Sequence, residues 1–334
     1  MEVARINCAH DDETAWRSMA ANVRRSARRL GRTIPVLFDI AGPKIRTERV
    51  AVAGKPSRLG PGDLLRLVAG PEPRLDAVAR FAASVSLPQI VARLQVGHRV
   101  GYNDGKLEGV VEAVGEGEAL VRVRSAQADG CLLKPEKGLN FPDSDLRLSP
   151  LTQKDRSDLA VVADCADLVG YSFVSEPGDI DLLEEVLSQS GTRPLGLILK
   201  LERPQAVSNL PRLIARASGG RPFGVMIARG DLAAEIGFER LAEVQEEILW
   251  VCEAASVPVI WATQVLDELA RTGVASRGEM TDAAMAARAE CVMLNKGPAI
   301  TVAIEVLDRL LARMDRNIVK KTPTLRPLSA WRDI

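Results

Sequence analysis

The sequence predicts an α/β protein: a TIM-type (β/α) barrel one strand short, with a small all-β domain inserted into it. Three observations carry this. Short apolar runs alternate with amphipathic helical patterns, as parallel strands covered by helices do. Polar residues gather at the C-terminal ends of those runs, where barrel enzymes keep their chemistry. Between residues 48 and 141 the pattern changes to short alternating runs between Gly and Pro turns, the signature of an all-β insertion.

In chain order, the expected barrel strands are Val3–Asn7, Pro35–Ile40, Leu168–Val174, Leu195–Leu201, Phe223–Arg229, Val257–Thr263 and Cys291–Asn295. Helical periodicity covers Thr14–Leu30, Ile180–Ser188, Arg240–Ala255 and Ile300–Met314. The count is seven strands, and an unclosed barrel leaves two strand edges unpaired. The chain opens directly on a strand. The expectation is therefore a truncated product, an alternative start, or a gap that a partner covers. The insertion is marked by Gly60-Pro61-Gly62-Asp63, the stretch from Gly101 to Gly105, Gly115-Glu116-Gly117 and the alternating run Leu120–Arg124. The expected division is barrel 1–47, insertion 48–141, barrel again 142–318, and a tail 319–334 with Lys320-Lys321 and several prolines.

Composition narrows the function. The 334 residues allow a barrel of ~250 residues plus a small domain. Lys+Arg and Asp+Glu balance at 44 each, so nothing global points to nucleic acid or an anionic membrane. No apolar run reaches the ~18–20 residues of a membrane span, and Met1–His10 does not read as a secretory signal. Five scattered cysteines without CxxC spacing argue for reduced thiols in the cytoplasm, and against zinc or disulfides. Only ten of the 44 basic residues are lysine, which makes a lysine in an apolar setting informative: it supplies a compact ammonium that Arg cannot imitate.

Several strand ends carry chemistry. Lys200 and Glu202 share a face at i, i+2, as an ion pair or as a cation beside a metal-binding carboxylate. Arg229-Gly230-Asp231 follows the next run. Gly230 permits close backbone approach, and Asp231 with Glu202 makes the two-carboxylate set that suits Mg²⁺. Thr263-Gln264 ends another run, as a helix cap or a hydroxyl for a carboxylate. Arg5-Ile6-Asn7 and Asp39 to Lys44-Ile45-Arg46 bring arginines suited to phosphate or to pairing with surface carboxylates.

As a set, these residues resemble the pyruvate kinases along almost the whole chain. The matching stretches are Val3–Asn7 with His10, Gly42-Pro43-Lys44-Ile45-Arg46-Thr47, Lys137–Pro142, Leu151–Asp155, Lys200–Glu202, Met226–Leu232 and Ala262–Leu266. The resemblance implies phosphoryl transfer between phosphoenolpyruvate and ADP/ATP with Mg²⁺ or Mn²⁺, in a homo-oligomer. It implies that Lys200 stabilises the phosphoryl group in flight and the enolate oxygen, and that Glu202 and Asp231 hold the metal. Gly230 and Thr263 would bind the substrate carboxylate, and Arg5 the phosphoryl group, with Arg46 nearby. Asn7, His10, Arg46 and Lys137 would lie on the nucleotide side. The insertion falls where the family has its mobile lid.

The sequence also departs from the family pattern. The potassium cage of potassium-dependent members aligns with Asn7, Ala9, Asp39 and Ile40, so two side chains are lost, and Lys44 replaces a Glu. The expectation is that no monovalent cation is required. Asn295-Lys296-Gly297-Pro298 replaces the usual Ser-Gly-Glu-Thr, and Met285 replaces an Asn. Two alternatives stay open: a non-catalytic or regulatory paralogue binding a phosphometabolite, and a metal-dependent lyase or aldolase acting on a pyruvate enolate.

Overall fold

The computed structural model describes residues 1–54, 57–146, 148–190 and 195–315. The tail expected over 319–334 lies outside them. Two compact units form. One contains Met1–Gly42, Ser149–Ala233 and the chain from Gly237; the other contains Pro43–Leu148 and Ala234–Ile236.

The first unit opens with β1 (Ala4–Asn7), α1 (Glu13–Arg29) and β2 (Val36–Asp39). Asp12 caps α1 by accepting from the Ala15 N–H. Glu13 sits in the first turn of α1 and Arg28 and Arg29 in the last, each complementing the helix dipole. Trp16, Ala20 and Ala27 form its buried stripe.

The second unit follows: β3 (Thr47–Val52), β4 (Leu64–Val68), β5 (Phe81–Val85), β6 (Arg99–Tyr102), β7 (Leu107–Gly115), β8 (Glu118–Ala126) and β9 (Leu139–Asn140). They form one sheet in the order β3-β5-β4-β8-β7-β6-β9. All pairs are antiparallel except β4 with β5. Its core is its own, built around Leu65, Leu67, Phe81, Tyr102, Leu107 and Val121.

The chain then returns to the first unit as α2 (Gln153–Cys165), β10 (Leu168–Tyr171), α3 (Pro177–Ser190), β11 (Gly196–Leu201), α4 (Pro204–Ser208), α5 (Leu210–Ser218), β12 (Phe223–Ala228), α6 (Arg229–Ile236), α7 (Phe238–Ala254), β13 (Val259–Val265), α8 (Asp267–Thr272), α9 (Arg277–Met285), β14 (Cys291–Leu294) and α10 (Ile300–Asp315). The Thr152 and Asp155 side chains form a capping box that starts α2. Its Asp155 also accepts the Gly42 N–H, so the Leu151–Asp155 motif has a structural job.

The strands of this unit make one all-parallel sheet, β1-β2-β10-β11-β12-β13-β14. β2, β11 and β12 are nearly wholly buried, which explains why they read as continuous apolar runs. Leu37, Ile198, Met226 and Ala262 form an interior cluster that also takes in Val3 beside β1 and Met293 of β14. Residues from both ends of the strand order thus pack on one cluster, which requires the sheet to curl. Among the described residues, no helix is long and apolar enough to cross a membrane.

Candidate active site

In a curled parallel sheet, the C-terminal strand ends converge on one face. In the first unit, Asp39 ends β2, Lys200 lies near the end of β11, and Glu202 follows it. All three are buried. The Lys200 ammonium donates to Asp39 Oδ1 at 2.9 Å, Glu202 Oε1 at 2.8 Å and Ser172 Oγ at 2.7 Å. Its three protons therefore all have acceptors. Arg5, from β1, donates through Nε at 2.8 Å and a terminal nitrogen at 2.5 Å to Asp39 Oδ2. The second Glu202 oxygen accepts from the Phe173 N–H at 2.7 Å.

The electrostatics follow. Burial works against the Lys200 ammonium, but Asp39 and Glu202 outweigh it and hold its pKa above the ordinary lysine value. Burial would also raise Asp39; Lys200 and Arg5 win, and the carboxyl lies below its ordinary range. For Glu202, burial raises the pKa, Lys200 opposes it and Asp231 adds like-charge repulsion, so the net direction is up. A group of alternating charges in a low dielectric stays ionised only while every partner is present.

Gly42 and the Ser172–Phe173 turn support this cluster. Gly42 has φ 66°, and a Cβ there would come within 2.7 Å of the Phe173 ring and 2.9 Å of Ser172 Cβ. Only glycine fits this position. Ser172 accepts from Lys200 and donates to the Ile40 carbonyl at 2.6 Å. Sequence reasoning passed over Ser172. Its signal was a serine inside the expected run Leu168–Val174, which proves to be the first residue past β10.

At the next strand end, the Gly230 N–H donates to Thr263 Oγ1 at 2.8 Å. Gly230 has no positive φ, and a Cβ there would make ordinary contact, 3.5 Å from Thr263 Oγ1. Neither backbone nor packing demands glycine; a methyl would fill the space beside the Thr263 hydroxyl. Asp231 sits in the first turn of α6, close enough for its charge to act on Glu202. Among the described residues, no three His, Cys, Asp or Glu side chains converge as a metal site. Glu202 and Asp231 instead offer two hard oxygen ligands and mutual repulsion that a divalent cation relieves, which fits Mg²⁺ completed by substrate oxygens.

Asn7 and His10 follow from β1. Asn7 Oδ1 accepts the Ala9 N–H, and His10 is exposed while its carbonyl accepts from the Trp16 indole. Cys8 between them is no nucleophile: burial, then Asp158 and Asp39, push its thiol up to about 12.

The second unit holds Lys44, Arg46 and Lys137. An isolated antiparallel bridge joins Arg46 to Gly138, and Thr47 exchanges backbone bonds with Lys137 and Glu136. This brings the three cations onto one two-stranded segment. The Arg46 guanidinium donates to the Glu136 carbonyl at 3.0 Å, and Lys44 Nζ lies 3.8 Å from Asp104.

The sequence matches the family described as "Pyruvate kinase, barrel domain" over residues 1–301. It is 31% identical to a pyruvate kinase of Mycobacterium intracellulare over 97% of this chain and 66% of that protein. It is 32% identical to one of Geobacillus stearothermophilus over 86% of this chain and 47% of that protein. A solved pyruvate kinase from Cryptosporidium parvum superposes with a TM-score of 0.82 at 28% identity, covering 96% of this chain and 65% of that one. The chain thus spans between about half and two thirds of the length of these relatives.

Proposed function

The chain belongs to the pyruvate kinase family, and from that premise we propose that it transfers the phosphoryl group of phosphoenolpyruvate to ADP, giving pyruvate and ATP. The observation that carries this is the buried Lys200–Asp39–Glu202–Arg5 cluster beside the Gly230–Thr263 pair. It holds two cations fixed by two carboxylates, with a backbone N–H and a hydroxyl at the Gly230–Thr263 pair suited to a substrate carboxylate, and phosphoryl transfer needs little more than positioning and neutralisation.

In this reading Lys200 serves the enolate oxygen and the phosphoryl group, and Arg5 serves the phosphoryl group. The Thr263 hydroxyl accepts from Gly230, which leaves its own proton to donate to the substrate carboxylate. The Gly230 position excludes a methyl from that contact. A divalent cation, Mg²⁺ or Mn²⁺, held by Glu202 and Asp231 would supply Lewis-acid charge for the transferring group. Family membership assigns nucleotide roles to Asn7 and His10 in the first unit and, separately, to Arg46 and Lys137 in the second.

Potassium is not required in this reading. The Asp39 carboxylate is committed to Arg5 and Lys200, Asn7 Oδ1 to the Ala9 N–H, and the Ile40 carbonyl to Ser172. Lys44, in the second unit, stands where potassium-dependent members carry a Glu. The barrel is read as one strand short of closure: β1 and β14 each pair on one side only among the described residues, and β14 is half-buried throughout. The Glu2 carboxylate beside β1 acts on the Cys291 thiol of β14, as facing edges would allow.

The test is pyruvate formation by the purified chain with Mg²⁺ or Mn²⁺, phosphoenolpyruvate and ADP. Lys200→Met and Asp231→Ala should each abolish it, and potassium chloride should match a choline salt. Activity that survives both substitutions, or several-fold activation by potassium, overturns the corresponding part.

A further inference from the structure

The strand carrying Thr263 is irregular. Between the pairs Trp261–Val292 and Val265–Leu294, β13 spends four residue steps against two in β14. The surplus is a bulge with Thr263 at φ 66° and Gln264 at φ 58°, followed by Leu266 at φ 50°. A left-handed conformation is costly for a β-branched residue such as Thr, and bulges re-aim side chains beside active sites. Something must hold this one.

Arg229 is placed to do so. It is buried. Its Nε donates to the Ala262 carbonyl at 3.0 Å, and a terminal nitrogen to the Thr263 carbonyl at 2.7 Å. The same guanidinium forks onto both oxygens of Asp282 in α9. Its carbon lies 4.7 Å from the centre of the Trp261 ring, and Trp261 is fully buried. The fork fixes the plane and the ring fixes the face. The two carbonyls it takes lie inside the irregular stretch between Trp261 and Val265, and the next backbone N–H, at Gly230, donates to the Thr263 hydroxyl.

We propose that Arg229, stacked on Trp261, is a positioning residue: it holds the β13 bulge in its left-handed form so that the Thr263 hydroxyl stays aimed at the ligand carboxylate. The proposal rests on the pyruvate kinase reading for the ligand, but not for the bulge. It touches no reacting atom, and its effect passes through Thr263.

Two measurements test it on the full chain. Hydrogen exchange followed by mass spectrometry reads the segment 259–266, and calorimetry reads binding of oxalate, a planar mimic of the pyruvate enolate, in the presence of Mn²⁺. Arg229→Lys keeps a charge for Asp282 but loses the fork. It should speed exchange over 259–266 roughly 10-fold and weaken oxalate by about 10-fold, as the loss of one or two buried hydrogen bonds would. Trp261→Phe keeps a ring face and should change both by about 2- to 3-fold. Asp282→Asn leaves the carbonyl bonds and should fall well short of Arg229→Lys. Exchange and affinity within about 2-fold of the unsubstituted chain in Arg229→Lys, or Asp282→Asn equalling it in both, overturns the proposal and leaves Arg229 as a tie between helices. An unsubstituted chain that binds no oxalate overturns the functional reading instead, and exchange over 259–266 still decides the positioning.

Discussion

The two units hold their cations in opposite ways. In the barrel unit, Lys200 and Arg5 are locked against Asp39, Glu202 and Ser172, with the lysine buried and every ammonium proton accepted. In the second unit, Lys44, Arg46 and Lys137 are half-exposed and positioned chiefly by the backbone ladder beneath them. The first arrangement is preorganised, so its residues carry stability and chemistry together. In the second, side chains can be removed at little structural cost, so binding and stability come apart.

The largest effects should fall in the barrel. Lys200→Met leaves Asp39 and Glu202 facing each other without their shared cation. Pyruvate formation should drop by at least ~1000-fold, and the barrel unit should lose about 3–5 kcal/mol in denaturant titration. A full loss of activity with unchanged stability would break the comparison on this side. Next come Arg46→Ala and Lys137→Ala, each expected to lower kcat/KM for ADP roughly 10- to 100-fold while the melting temperature stays nearly unchanged. If either melted the protein, the second cluster would be structural.

Gly230→Ala should fold normally, because its backbone is ordinary and its nearest neighbour would be 3.5 Å away. The methyl should nonetheless weaken oxalate binding by about 10-fold. The smallest effect is on acid stability. Asp143 in the second unit is held below the usual carboxylate range, first by its bond to Arg99, and Asp39 in the barrel by Lys200 and Arg5 against burial. A depressed carboxyl stabilises fully above its unfolded pKa of about 3.9 and loses that contribution as pH falls through the folded value. Asp143→Asn should therefore remove only a small part of the acid sensitivity, measured as the melting temperature between pH 5 and 3.

Much of this was legible in the sequence because parallel strands buried on both faces leave continuous apolar runs, and the polar residue after each run marks the rim. The runs Pro35–Ile40 and Leu195–Leu201 enclose β2 and β11, and Thr14–Leu30 overlaps α1 to within a residue at each end. Ser172, and the role of Arg229, escaped for a different reason. Each works through partners distant in sequence, Lys200 and Ile40 for Ser172, Asp282 and the Ala262 and Thr263 carbonyls for Arg229. No local spacing encodes those. Nor did the pattern show the β13 bulge, because Val257–Thr263 reads as an uninterrupted strand until its register against β14 is seen.

The division of labour between the two clusters is tested most directly by exchange of the pyruvate methyl protons with solvent, a reaction that needs the enolate site and no nucleotide. With Mg²⁺ and inorganic phosphate present, Arg46→Ala and Lys137→Ala should retain this exchange while losing transfer to ADP, and Lys200→Met should lose both. Exchange falling in step with transfer in the second-unit variants, or persisting in Lys200→Met, would contradict it.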